Sequence, residues 1–112
     1  MQTIDYKEFD KIELRVGTII RSEFFEEAHK PAYKIWIDLG QEIGVKKSSA
    51  QITVHYTIEN LIGRQVICVC NLKPRQIANF ISEVLITGFL AKEGGIILAG
   101  VDKNVPNGSK LH

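Results

Sequence analysis

The stretch Ile12-Glu13-Leu14-Arg15-Val16-Gly17-Thr18-Ile19-Ile20-Arg21 decides the fold. Ile12, Leu14, Val16, Thr18 and Ile20 alternate with Glu13, Arg15, Gly17 and Arg21. That period of two predicts a long, half-buried strand beginning just after a short helical turn around Tyr6 to Lys11. Gly17 within it predicts a bulge or bend. The same alternation returns beyond a loop at Glu26 to Pro31, where Tyr33, Ile35, Ile37 and Leu39 take turns with Lys34, Trp36 and Asp38. Gly40 to Gly44 marks a turn into a third strand that carries a polar segment, Val45 to Ile52. Thr53 to Leu61 has helical spacing, with Ile58, Leu61 and Ile62 as its apolar side and Gly63 as its stop.

Val66 to Leu72 is apolar on both faces, as befits a central strand, and Pro74 ends it. Glu83 to Leu90 reads as a fifth strand. Gly95 to Ala99 pairs back on it across Glu93-Gly94-Gly95, and Val105-Pro106-Asn107-Gly108 is a last tight turn. No repeat, linker or low-complexity tract divides the chain, so residues 1–112 are expected to form one domain. Five or six strands with one short helix between the third and fourth predict an all-β, five-stranded OB-fold (Greek-key) barrel, with short helices and a C-terminal hairpin extension. A small β-sandwich is the rival architecture.

At 112 residues and 45% hydrophobic content, the chain is long enough to bury a core without staples. Fourteen Lys plus Arg against thirteen Asp plus Glu leave a net charge of +1. Any attraction for nucleic acid must therefore come from local clustering. The N-terminal residues lack a basic head and an apolar stretch, and no run is long enough to span a bilayer, so a cytoplasmic protein without membrane insertion is expected. Cys68 and Cys70 share one strand face, where a disulfide fits poorly, and the three histidines offer no zinc spacing. No cofactor is expected. No nucleophile stands near a base, which argues against an enzyme.

Chemistry concentrates in two polar segments, Val45 to Ile52 and Asn71 to Glu83. Each sets cations beside short hydroxyl and amide side chains, a mixture suited to phosphate oxygens and base edges or to the main chain of an extended peptide. Lys46-Lys47 alone reads as a solvated strand end; its company with Lys73 and Arg75 is what suggests a site. Asn71 and Ser82 flank a proline-containing connection and have a second reading as loop caps. Trp36 is expected to face out, as a stacking or peptide-docking platform or a subunit contact. Phe80 is either a plug on the barrel or a pocket wall.

The phrases Leu14-Arg15-Val16-Gly17-Thr18-Ile19, Lys47-Ser48-Ser49-Ala50-Gln51-Ile52, Leu61-Ile62-Gly63-Arg64-Gln65-Val66 and Asn71-Leu72-Lys73-Pro74-Arg75-Gln76-Ile77, followed by Ser82-Glu83-Val84-Leu85, occur in an order that resembles the stand-alone tRNA-binding-domain proteins of the CsaA type. The likeness runs from about Phe9 to Lys110. It implies a small OB-fold homodimer, an export-related chaperone that binds unfolded or presecretory polypeptides, with relatives that bind tRNA. A structure-specific tRNA binder without a chaperone role is the alternative. Carried onto this chain, the RNA-binding set is Lys46, Lys47, Ser48, Ser49, Gln51, Asn71, Lys73, Arg75 and Ser82, and the peptide-binding pair is Trp36 and Phe80. Related domains often have Met where this chain has Leu85.

Overall fold

The computed structural model describes all residues, 1–112. Strands β1 (Leu14–Phe24), β2 (Tyr33–Asp38), β3 (Val45–Ala50), β4 (Gln65–Val69) and β7 (Leu85–Ile86) form one antiparallel sheet in the order β3-β2-β1-β4-β7. Two hairpins, β5 (Arg75–Ile77) with β6 (Phe80–Ser82) and β8 (Gly88–Leu90) with β9 (Ile96–Leu98), are appended to it. Three one-turn helices intervene: α1 (Tyr6–Phe9), α2 (Gly40–Ile43) and α3 (Ile58–Leu61). The sheet curls into a nearly closed OB-type barrel around Ile19, Tyr33, Ile35, Ile37, Leu39, Ile52, Leu61, Val66, Cys68, Val84 and Ile86.

The alternation predicted for β2 holds, with Tyr33, Ile35 and Ile37 buried and Lys34, Trp36 and Asp38 half-buried. For β1 the predicted face is corrected. Gly17 and Ile19 lie on the core side, since a Cβ on Gly17 would come within 2.4 Å of Ile37 Cγ2 and 2.7 Å of Leu39 Cδ2. Gly17 is there because strand β2 crosses too close for a side chain, and the irregularity falls later, between Ile19 and Arg21. Leu14 and Val16 face the other way and are covered by the C-terminal segment, together with Val101, Val105 and Leu111. That segment follows β1 where β2 has ended: Ser109 O accepts from Val16 N, Gly108 N donates to Val16 O, and Leu111 N donates to Leu14 O.

The helix expected over Thr53 to Leu61 is shorter, and its reason is local. Thr57 caps it, its hydroxyl accepting from Asn60 N while the Asn60 carboxamide accepts from Thr57 N. Such a reciprocal box fixes the start at residue 58. Gly63 ends the segment at φ 88°, a conformation open to glycine. The fifth strand predicted over Glu83 to Leu90 breaks in two. β7 pairs with β4, while β8 leaves the barrel to pair with β9.

Candidate functional site

The barrel closes along β3 by side chains where a regular ladder would be expected. Glu83 N donates to Lys47 O at 2.8 Å, Glu83 Oε1 accepts from Lys47 N at 3.1 Å, and Ser82 Oγ accepts from Ser49 N at 3.0 Å. Every second residue of a strand directs its backbone groups to the same edge, so Lys47 and Ser49 would otherwise leave that edge open. Ser82 and Glu83 thus complete the wall, and Ser82 is committed to closure more than to a ligand.

Beside this seam lie two adjoining cavities. One, of 470 Å³, is lined by Ser49, Lys73, Arg75, Ile77, Ser82 and Leu85 among others. The second, of 450 Å³, shares Ser49, Arg75, Ile77 and Leu85 and adds Gln51, Ile52, Ile86 and Ile96. Together they form a groove with an apolar floor. Its rim carries Lys73 and Arg75, both exposed and neither in an ion pair. Glu83 is the one carboxylate in the same lining, with its Oε1 turned to Lys47 N, so two unpaired cations outweigh it and leave the groove locally positive despite a net charge of only +1.

Five of the residues singled out in the sequence therefore meet here: Ser49, Gln51, Lys73, Arg75 and Ser82. Four do not. Lys46 and Lys47 are neighbours on a strand and so point to opposite faces; Lys47 lies over the Phe80 ring, 5.1 Å from its centroid. The reading of Lys46 and Lys47 as one site with Lys73 and Arg75 is corrected for Lys46, which lies on the face of the buried Ser48, while Lys47 shares the face of Ser49. Ser48 is 1% exposed and belongs to the interior. Asn71 is a clasp, its Oδ1 accepting from Glu13 N at 2.9 Å and its Nδ2 donating to Lys11 O at 2.6 Å, so the orientation of its amide is set by the fold and half of its hydrogen-bonding capacity is used.

The aromatic pair expected to bind peptide is together but packed. Phe80 is 5% exposed and joins Phe25 and Ala32 in a satellite cluster, with Ala28, Trp36 and Ile77 against it. Its ring meets Phe25 and Trp36 edge-on at 5.4 and 5.9 Å. Of the two readings of Phe80, the plug is the one observed: it fastens the β5–β6 hairpin to the outside of β2. Trp36 does face outward, half-buried, with the Arg21 guanidinium 4.3 Å above its ring. The hairpin itself was not foreseen. Its turn places Ala78 at φ 53°, a left-handed conformation that costs a non-glycine residue roughly 1 kcal/mol. Ile77 opposite Phe80 supplies the anchoring that sustains it.

Both thiols are free. Burial pushes the Cys68 thiol up to about 12, and burial also raises Cys70. They are packing residues, with no group of three His, Cys, Asp or Glu side chains placed to hold a metal ion. No helix is long and apolar enough to cross a membrane.

A five-stranded, nearly closed barrel with a cationic, part-apolar groove along its seam belongs to the OB-fold class of small barrels. The comparisons sharpen this. Residues 14–110 match the family model described as "Putative tRNA binding domain", and the chain belongs to that family. Two solved structures of the chaperone CsaA superpose over nearly the whole chain. The one from Picrophilus torridus has a TM-score of 0.92 and 46% identity, covering 98% of this chain and 100% of that one. The one from Bacillus anthracis has a TM-score of 0.92 and 40% identity, covering 99% and 100%. The methionine–tRNA ligase of Methanocaldococcus jannaschii is 36% identical over 111 residues, which is 99% of this chain but 17% of the ligase. The chain thus spans about a sixth of that curated relative.

Proposed function

We propose that the protein is a non-catalytic binding module of the CsaA type, a cytoplasmic chaperone that holds unfolded or presecretory polypeptide and also binds tRNA. The observation that carries this reading is the seam groove. Its floor of Ile52, Ile77, Leu85 and Ile86 suits apolar side chains, and its rim of Lys73 and Arg75 suits phosphates or acidic groups. Full-length likeness to two CsaA chaperones supports the polypeptide half. Family membership supports the tRNA half. A homodimer is part of the proposal, supported by the exposed apolar hairpin, in which Phe89 and Ile97 are directly opposite each other at 72% and 41% exposure and Leu90 is 76% exposed. Phe89 and Ile97 share one face of the hairpin and Leu90 lies on the other, and exposed apolar side chains clustered on a small hairpin are a recurrent mark of a subunit contact.

The second reading, a tRNA binder without chaperone activity, is favoured by the absence of any carboxylate paired with Lys73 or Arg75. Retention of purified tRNA and of a reduced, denatured polypeptide, each measured across a salt series, separates the two. Polypeptide retention that persists at high salt supports the chaperone reading. Retention of tRNA alone, falling steeply with salt, replaces it with the second. Light scattering at micromolar concentration tests the dimer, and a monomer mass rejects it.

A further inference from the structure

Across the outer face of the barrel, three consecutive strands present one row of side chains. Arg21 of β1 lies directly opposite Trp36 of β2, which lies directly opposite Lys47 of β3. Directly opposed residues hold their side chains side by side on the same face. The row is therefore cation, indole, cation. The Arg21 guanidinium lies over the indole and is tethered by an ion pair with Glu23, donating from Nε to Oε2 at 2.8 Å, while most of its side chain stays exposed to solvent. Lys34, two residues before Trp36 and so on the same face, sits 4.9 Å from the Phe25 ring and 5.5 Å from the Phe80 ring, with Glu27 Oε1 3.9 Å from its Nζ as a partner that a phosphate would replace. Lys47 is in no ion pair.

We propose that this Arg21–Trp36–Lys47 row is a second RNA contact, distinct from the seam groove, on which an unpaired nucleobase stacks while its flanking phosphates meet Lys34 and Lys47. The proposal rests on the reading of the chain as an RNA binder and adds to it a base-stacking subsite. The chemistry follows from the arrangement. A guanidinium 4.3 Å over an indole, and ion-paired at its edge with Glu23, sets a planar group and an aromatic ring side by side, and unpaired RNA bases stack on aromatic rings and on Arg planes alike. A phosphate-only site would need neither the indole nor a planar cation. An apolar peptide side chain would meet the charged group first, since Arg21 covers the ring.

The geometry also joins this row to the groove. The β5–β6 hairpin stands between them, with Arg75 and Ser82 lining the groove and Phe80 packed against Trp36. A single strand of RNA leaving the Lys73 and Arg75 rim has cations to follow across the hairpin, first Lys47 and Lys34 over Phe80, then Arg21. Seryl and amide groups offer hydrogen bonds in the groove, and stacking is supplied only on the row.

Trp36 is the sole tryptophan of the chain, so its emission reports on this subsite in the native protein. A single-stranded RNA oligonucleotide of mixed sequence is expected to quench it saturably, and inorganic polyphosphate is expected not to. Arg21→Ala should weaken oligonucleotide binding about tenfold, the size of one stacked base. Arg21→Lys should fail to rescue it, because the charge returns without the plane. Quenching should survive in the Lys73→Ala, Arg75→Ala double variant. The proposal is overturned if tRNA is retained with Trp36 emission unchanged, a result that leaves the groove reading intact. It is equally overturned if polyphosphate quenches as RNA does, if Arg21→Lys restores full affinity, or if denatured polypeptide quenches and RNA does not. Undiminished tRNA affinity in the groove double variant, with quenching preserved, supports the row and counts against the groove alone.

Discussion

Replacing Phe80 by alanine separates a packing role from a ligand-wall role. The ring is 5% exposed and touches Phe25, Trp36 and Ile77 outside the barrel core. Removing a buried phenyl group costs about 3 to 5 kcal/mol, and less where neighbours can collapse into the space. The cluster lies under a short hairpin of two three-residue strands that can settle inward, so the lower end applies, about 3 kcal/mol. A domain of this size loses roughly 4 °C per kcal/mol, which gives a fall in Tm of about 12 °C. Circular dichroism melts and urea titrations measure this, with an unchanged m-value showing that the same surface unfolds. Trp36 emission should shift to the red, because its edge-on partner is gone. A melting temperature within about 3 °C of wild type, together with lost polypeptide binding, would refute the packing argument and return Phe80 to the ligand wall.

Glu83→Ala and Ser82→Ala should each cost about 1 to 3 kcal/mol by leaving the Lys47 and Ser49 amides without acceptors. Hydrogen exchange should rise at those two amides first, and unchanged protection at both would show that the seam closes by other means. The Glu13 carboxyl is held below its ordinary 4.5 by hydrogen bonds with Arg15 and then Lys110. Its folded pKa being the lower one, its stabilising effect is complete above about 4.5 and disappears as pH falls through the folded value. Urea midpoints for wild type and Glu13→Gln should therefore differ at pH 7 and draw together as pH falls below about 4.5; a gap that widens as the pH falls would contradict the linkage. Native protein at pH 8 should resist iodoacetamide at Cys68, whose thiol is pushed up to about 12, and take it up after denaturation. Rapid native labelling at Cys68 would mean that the core opens there.

How much of this was legible in the sequence depended on whether a residue's role is set by its neighbours along the chain or across it. The alternation of β2 is local, and so is the turn at Gly63, and each is as read; β4 is a strand as expected but stops at Val69, short of the expected Leu72 and Pro74. The face of β1 was misjudged because Gly17 has no side chain to reveal which way it points, and its cause, the close approach of Ile37 and Leu39, is a contact between strands. The β5–β6 hairpin was hidden by its brevity and polarity. Ile77 and Phe80 flank the two-residue turn Ala78-Asn79, which lacks the glycine that usually announces such a turn. Among the site residues, side-chain type pointed to the right segments but not to the right roles. A free amide and a clasped one look alike in one dimension, so Asn71 and Gln51 read the same although Asn71 ties down Glu13 and Lys11. Lys46 and Lys47 likewise read as a pair until the pleat divides them.

The central claim is that the seam groove, through Lys73 and Arg75, holds the phosphates of tRNA. Its most direct test is the salt dependence of tRNA affinity for wild type and for the Lys73→Ala, Arg75→Ala double variant, with the fold verified by circular dichroism. Each phosphate contact contributes about one unit to the slope of log affinity against log salt. The account predicts weaker binding at every salt concentration and a slope shallower by about 2. Equal affinity and an equal slope in the two proteins would contradict it.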